Sequence, residues 1–167
     1  AKLTRLGIPT RSEDVVNSSL VLARHLARTD PGAACFVIGE PPLIGELKAH
    51  GLEVREDERV CWVVIAFDRT FTYAKLNTAL QAVKRGARLI ATNPDRTCPV
   101  ADGEIPDCAG MIAAVEAVTG KTVELIVGKP SPLMLEVARE VLGLAASETV
   151  IVGDRIETDV SMGKALG

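Results

Sequence analysis

Apolar residues follow two alternating patterns along this chain. One repeats every three or four positions, as on a helix with one face against a core. The other is a short unbroken run, as in a strand covered on both sides. Leu3, Leu6 and Ile8 read as the tail of a helix begun before residue 1, stopped by Gly7 and Pro9. Ser12 reads as the N-cap of the next helix, with Glu13 and Asp14 in a first turn whose dipole favours negative charge. Val15, Val16, Ser19, Leu20, Ala23 and Leu26 continue it at helical spacing. After the turn Asp30-Pro31-Gly32, the pattern predicts a strand over 34–38, a helix over 42–50, a brief strand over 52–54 and a strand over 60–67. A helix over 73–85, closed by Gly86, and a strand over 87–91 follow. Residues 92–108 are rich in Pro, Asp, Thr and Gly and read as one long irregular segment, suited to a functional loop or hinge. Beyond it the pattern predicts a helix over 111–118 and a strand over 123–127. A helix capped by Ser131 with Pro132 in its first turn comes next, then a strand over 150–152 and a helix over 159–166. Strands that alternate with helices predict an α/β fold with a mainly parallel or mixed sheet between helical layers.

Composition narrows the function classes. The 167 residues are 47% hydrophobic with a formal net charge of -3, enough apolar mass for one core or two small ones. No basic stripe points to nucleic acid, and charges interrupt every apolar run before it reaches membrane-spanning length. Ala1-Lys2-Leu3-Thr4-Arg5 is not followed by the apolar stretch of a signal peptide. Cys35, Cys61, Cys98 and Cys108 are widely spaced with no Cys-x-x-Cys pair, which predicts free thiols in a reducing cytoplasm. His25 and His50 are not at zinc-ligand spacing and read as helix residues. Trp62, inside an apolar run, reads as core.

The chemistry is concentrated near the C-terminus. Gly128-Lys129-Pro130-Ser131-Pro132 places a lysine after one predicted strand. Val152-Gly153-Asp154-Arg155-Ile156-Glu157-Thr158-Asp159 places two carboxylates after the next. Ligands of open α/β sheets sit beyond the carboxyl ends of the strands, so folding can bring these segments together. A lysine there neutralises a phosphate. Asp154 offers hard oxygen to Mg²⁺, and Asp159 can orient a metal-bound water or brace the loop. Taken singly, an aspartate after Gly or a lysine after Gly is an ordinary turn residue; it is the pair, in this order, that points to a site.

These two segments resemble the third and fourth motifs of the haloacid dehalogenase (HAD) superfamily. More narrowly, the chain resembles its class IIA capped subfamily of sugar, nucleotide, phosphoglycolate and 4-nitrophenyl phosphatases. Residues 67–76, Gly86-Ala87-Arg88 and Ala91-Thr92-Asn93-Pro94-Asp95 are similar to cap segments of that subfamily. The resemblance implies a partial doubly wound, Rossmann-like core with an inserted α/β cap of the C2 type. Residues 1–11 would end a core helix, 12–107 would form the cap, and 108–167 would form the C-terminal part of the core. It implies Mg²⁺-dependent hydrolysis of a small phosphate monoester through an aspartyl-phosphate. Lys129 and Asp154 would be catalytic, and Asp154 and Asp159 would serve the metal. Lys129, Arg155 and Thr158 would contact the substrate, joined by the cap residues Asp68, Asn93 and Asp95. It also implies a cytoplasmic homodimer paired through the cap, with a small phosphorylated metabolite as ligand and neither nucleic acid nor membrane as partner.

The family's opening Asp-x-Asp-Gly segment, which supplies the nucleophile, and the Ser/Thr strand end that follows it do not occur in these residues. The expectation is therefore an incomplete phosphatase with little activity by itself. An alternative is a non-catalytic pseudo-phosphatase that holds a phosphorylated metabolite. A generic nucleotide binder is disfavoured because neither Gly-x-Gly-x-x-Gly nor a P-loop occurs.

Overall fold

A computed structural model of the chain describes residues 2–153 and 156–164. In chain order the elements are α1 (Lys2–Arg5), α2 (Ser18–Thr29), β1 (Ala34–Ile38), α3 (Pro41–Ala49), β2 (Glu53–Arg55), β3 (Trp62–Ile65), α4 (Tyr73–Lys84) and β4 (Arg88–Ala91). They continue with β5 (Thr97–Val100), β6 (Gly103–Pro106), α5 (Cys108–Thr119), β7 (Leu125–Ile126), α6 (Pro132–Leu142) and α7 (Ser161–Lys164). Five strands form one parallel sheet in the order β2-β1-β3-β4-β7. The order reverses direction between β1 and β3, as in doubly wound folds. The boundary expected at 107/108 therefore falls inside one sheet, because β7 lies beyond it and still pairs with β4 through Ile90↔Leu125 and Ala91↔Ile126.

The side-chain period of two builds the three layers. In β3, Trp62 and Val64 face a core shared with Val21 and Leu22 of α2, Leu43 and Leu47 of α3, and Met134 and Val137 of α6. Val63 and Ile65 face the opposite core with Ala79 and Ala82 of α4 and Met111 and Val115 of α5. Every residue of β3 is buried, which explains its unbroken apolar run. Trp62 is core, as read from the sequence, and its Nε1 donates to Asp30 Oδ2 at 3.0 Å while the Arg88 guanidinium lies 4.1 Å from the ring centroid.

Four expectations need correction. Ser12–Asp14 forms only a 3-10 turn, which gives way to extended backbone at Val15. The long helix starts at Ser18, with the Asn17 side chain accepting from the Leu20 amide at 2.9 Å. The β-branched pair Val15-Val16 favours extended backbone, so the boundary falls at the next good cap, Asn17. Residues 92–108 are not irregular throughout, since β5 and β6 form an antiparallel ribbon apart from the main sheet. Val150-Ile151-Val152 is not a strand: among the described residues no strand pairs with it, and Val150 and Val152 are 85% and 92% exposed. The helix expected over 159–166 begins earlier, as a π turn at Ile156–Val160 continued by α7, and residues 165 and 166 of it lie outside the described residues.

The start of α2 gives a direct check. Asn17→Ala should lower stability by about 1 kcal/mol in urea unfolding, whereas Ser12→Ala should leave the midpoint essentially unchanged.

Candidate active site

Parallel pairing puts the carboxyl ends of β1, β3, β4 and β7 on one rim of the sheet. The loops that follow them there carry Glu40, Asp68, Asn93 with Asp95, and Lys129. At this rim a cleft of about 640 Å³ is lined by Asn93, Asp95, Asp107, Lys129, Thr158 and Asp159, with Phe67, Met134 and Met162 among its apolar walls.

Lys129 and Asp159 meet directly, with Nζ donating to Oδ1 at 2.8 Å. The lysine side chain is 48% exposed and the aspartate side chain 8%, so the carboxylate sits in the wall and the ammonium reaches the opening. Two glycines press the backbone into this arrangement. A Cβ on Gly128 would run into the Thr92 carbonyl oxygen, so glycine lets β7 pass close against the loop after β4. A Cβ on Gly153 would run into the Asp159 carboxyl group. The Lys129-Pro130 peptide is cis. Beyond it, Ser131 caps α6 by accepting from the Leu133 amide at 3.3 Å, with Pro132 at the first helical position, as read from the sequence.

Around Asn93 the polar groups form a local network. The Thr92 hydroxyl donates to Asn93 Oδ1 at 2.9 Å. Asn93 Nδ2 donates to Asp95 Oδ2 at 2.9 Å and to Asp107 Oδ1 at 3.3 Å. Asp107 also caps α5, accepting from the Cys108 amide at 2.5 Å. The Thr158 hydroxyl is buried and has no hydrogen-bond partner among the described residues. A buried polar atom left in that state is costly, and a bound ligand or water would relieve the cost.

The structure thus brings Lys129, Thr158, Asp159, Asn93 and Asp95 to one cleft. Asp154 and Arg155 lie outside the described residues. Asp68, expected to contact the substrate, has a fully buried side chain and is not among the residues lining this cleft. It accepts from Lys75 Nζ at 2.5 Å and from the amide and hydroxyl of Thr70 at 2.8 and 2.7 Å. Burial raises its pKa, but the bonds from Lys75 and Thr70 outweigh that and hold it below the usual carboxylate value. Asn17, Ser18, Cys98 and Asp107 line the cleft and were not singled out in the sequence. Asp107 had a local signal, an aspartate ahead of an apolar helix; the other three had none. The four thiols are free, as predicted, and burial pushes Cys35 up to about 12 and Cys108 up to about 11.

A family model for haloacid dehalogenase-like hydrolases matches residues 11–167. The chain belongs to the haloacid dehalogenase-like hydrolases. It is 45% identical over 167 residues to sugar-phosphatase AraL of Bacillus subtilis, covering 99% of this chain and 61% of that protein. To the acid sugar phosphatase of Staphylococcus aureus (strain USA300) it is 37% identical over 166 residues, covering 99% and 64%. Among solved structures, the p-nitrophenyl phosphatase from Archaeoglobus fulgidus superposes with a TM-score of 0.90 at 37% identity, covering 99% of this chain and 63% of that one. A double mutant of the thermostable NPPase from Geobacillus stearothermophilus gives a TM-score of 0.93 at 37% identity, covering 99% and 66%. The chain therefore spans about three fifths to two thirds of the length of these relatives. The α/β fold with a parallel sheet read from the sequence is that of its structural relatives.

The contribution of the buried Asp68–Lys75 pair to stability can be tested. Its depressed pKa contributes stability above the unfolded value of about 3.9, and that contribution is lost as pH falls through the lower folded value. Asp68→Asn should cost about 2–3 kcal/mol at pH 7. In urea unfolding, the gap to the wild type should narrow as pH falls below about 4.

Proposed function

We propose that this chain is the substrate-binding and phosphate-anchoring part of a phosphatase that hydrolyses small phosphate monoesters. The Lys129–Asp159 pair at the mouth of the rim cleft carries the reading. Its chemistry suits a phosphate: a half-exposed ammonium at the opening, held in place by a buried carboxylate. Relatives named sugar phosphatase and p-nitrophenyl phosphatase support the same class.

In this reading Lys129 binds a phosphate oxygen and neutralises charge as an aspartate, supplied from outside these residues, attacks phosphorus. The phosphorus–oxygen bond to the leaving group breaks, and the alcohol departs with a proton from a general acid that is also supplied from outside these residues and that takes a proton back from the water of the next step. Water then hydrolyses the aspartyl-phosphate, returning the aspartate and inorganic phosphate. Asp159 holds the lysine in position. Among the described residues no three His, Cys, Asp or Glu side chains cluster as a metal site. The hard oxygens of Asp159 and Thr158 still fit Mg²⁺, which needs only one or two carboxylates beside phosphate and water. Asp159, and Asp154 one residue past Gly153, would hold it; the ion would supply charge neutralisation at the phosphate. Arg155 and Thr158 would line the phosphate pocket.

Continuity of the sheet supports a cap that extends through β7, with the catalytic half beginning at Gly128 rather than at residue 108. Pairing of two copies through the cap and a cytoplasmic location belong to the same reading. Among the described residues no helix is long and apolar enough to cross a membrane.

Steady-state kinetics on the full-length gene product test the reading. Lys129→Ala should lower Mg²⁺-dependent 4-nitrophenyl phosphate turnover about 10²–10³-fold with an unchanged circular dichroism spectrum. Chelation of the metal should abolish wild-type turnover, and added Mg²⁺ should restore it. Wild-type activity within a few fold in Lys129→Ala would remove the lysine from the mechanism. Phosphate-ester binding without turnover by the wild type would favour the non-catalytic alternative.

A further inference from the structure

We infer that Asn93 is a positioning residue: its amide clamps the neck of the β5–β6 ribbon and so fixes that ribbon as a wall of the cleft, in register with the loop that carries Lys129. The inference rests on the phosphatase reading and deepens it.

The ribbon has little to hold itself by. Its strands are four residues each, and among the described residues they pair only with each other. Pro99 and Pro106 lie within it and bring no N–H to the ladder. A lone two-stranded ribbon is marginal in water. Only the directly paired Cys98 and Ile105 are half-buried; the other six strand residues are exposed, as are Ala101 and Asp102 at the tip. Cys98 lines the cleft, so one face of the ribbon is turned toward it while the tip stands in solvent.

The neck supplies the support. The Asp107 amide donates to the Arg96 carbonyl at 3.0 Å and the Ala109 amide to the Asp95 carbonyl at 2.9 Å. Asn93 closes the neck with its side chain, Nδ2 donating to Asp95 Oδ2 ahead of β5 and to Asp107 Oδ1 behind β6. Both N–H groups of the amide are spent across the neck, which leaves neither to donate to a ligand. The clamp is anchored at each end in packed structure. Asn93 lies just past β4, and its Oδ1 accepts from the hydroxyl of buried Thr92. Asp107 caps α5, whose Cys108, Met111 and Val115 are core. Asn93 also abuts the lysine loop, since a Cβ on Gly128 would come within 3.3 Å of Asn93 Cβ and 3.4 Å of its Cα. Gly128 precedes Lys129, so one residue registers the ribbon against the phosphate anchor. Removing the amide frees the ribbon and leaves the Lys129–Asp159 pair in place.

Two measurements on the full-length gene product test this. Hydrogen exchange reads the clamp without substrate. The neck amides of Asp107 and Ala109 should be protected in the wild type. In Asn93→Ala they should exchange about tenfold faster or more, with the amides of β3 unchanged. Asn93→Asp keeps the shape but replaces both donors with an oxygen that faces two carboxylates, so it should open the neck at least as far. Steady-state kinetics reads the consequence. KM for 4-nitrophenyl phosphate should rise about fivefold or more in both variants, with kcat and the Ki of inorganic phosphate within about twofold of the wild type. Inorganic phosphate has no leaving group and reports the lysine site alone. Unprotected neck amides in the wild type overturn the inference, and so does unchanged exchange in both variants. A Ki for phosphate that rises in step with KM overturns it too, because Asn93 then belongs to the phosphate site. Each of these results, obtained while the ester is still turned over, leaves the phosphatase reading standing. Failure of the wild type to hydrolyse the ester overturns both.

Discussion

Parallel pairing of five strands is the constraint on which this molecule depends. Once β1, β3, β4 and β7 run the same way, every loop after a carboxyl end emerges on one rim. Residues separated by tens of positions then become neighbours there. The sheet can run parallel because both faces are covered, by α2, α3 and α6 on one side and α4 and α5 on the other. The alternating burial along β3, with Trp62 and Val64 to one core and Val63 and Ile65 to the other, ties these layers together.

At the rim, charge and burial decide the geometry. Asp159 is nearly buried, and a buried carboxylate is stable only with a counter-charge or hydrogen bonds. Lys129 meets it at 2.8 Å and is thereby fixed at the cleft mouth. Asp68 obeys the same rule one loop away, with Lys75 as its partner, and is buried away from the cleft lining. Two aspartates in similar loops thus differ by what each faces: one the opening, the other the packed start of α4.

Local signals survived well from sequence to structure. Ser131 before Pro132 marked the start of α6 because capping involves only neighbouring residues. The run around Val63 marked β3 because complete burial leaves its own pattern. Non-local features were harder to see. Among the described residues β5 and β6 pair only with each other, and each carries a proline, so the segment read as loop. Val150-Ile151-Val152 has strand composition, but a strand also needs a partner, and composition cannot show one. Asn17, Ser18 and Cys98 line the cleft only because the fold carries them there. The meeting of Lys129 with Asp159 was foreseen in kind, since both follow predicted strands, although the pairing emphasised in the sequence was Lys129 with Asp154.

The account stands most directly on where a phosphate settles. The decisive measurement is a crystal structure of the full-length gene product soaked with tungstate, a phosphate analogue visible by anomalous scattering. The oxyanion should lie in the rim cleft within hydrogen-bond distance of Lys129 Nζ, with Asp159 still bracing the lysine. An oxyanion bound elsewhere, with the Lys129 ammonium turned to solvent, would contradict it.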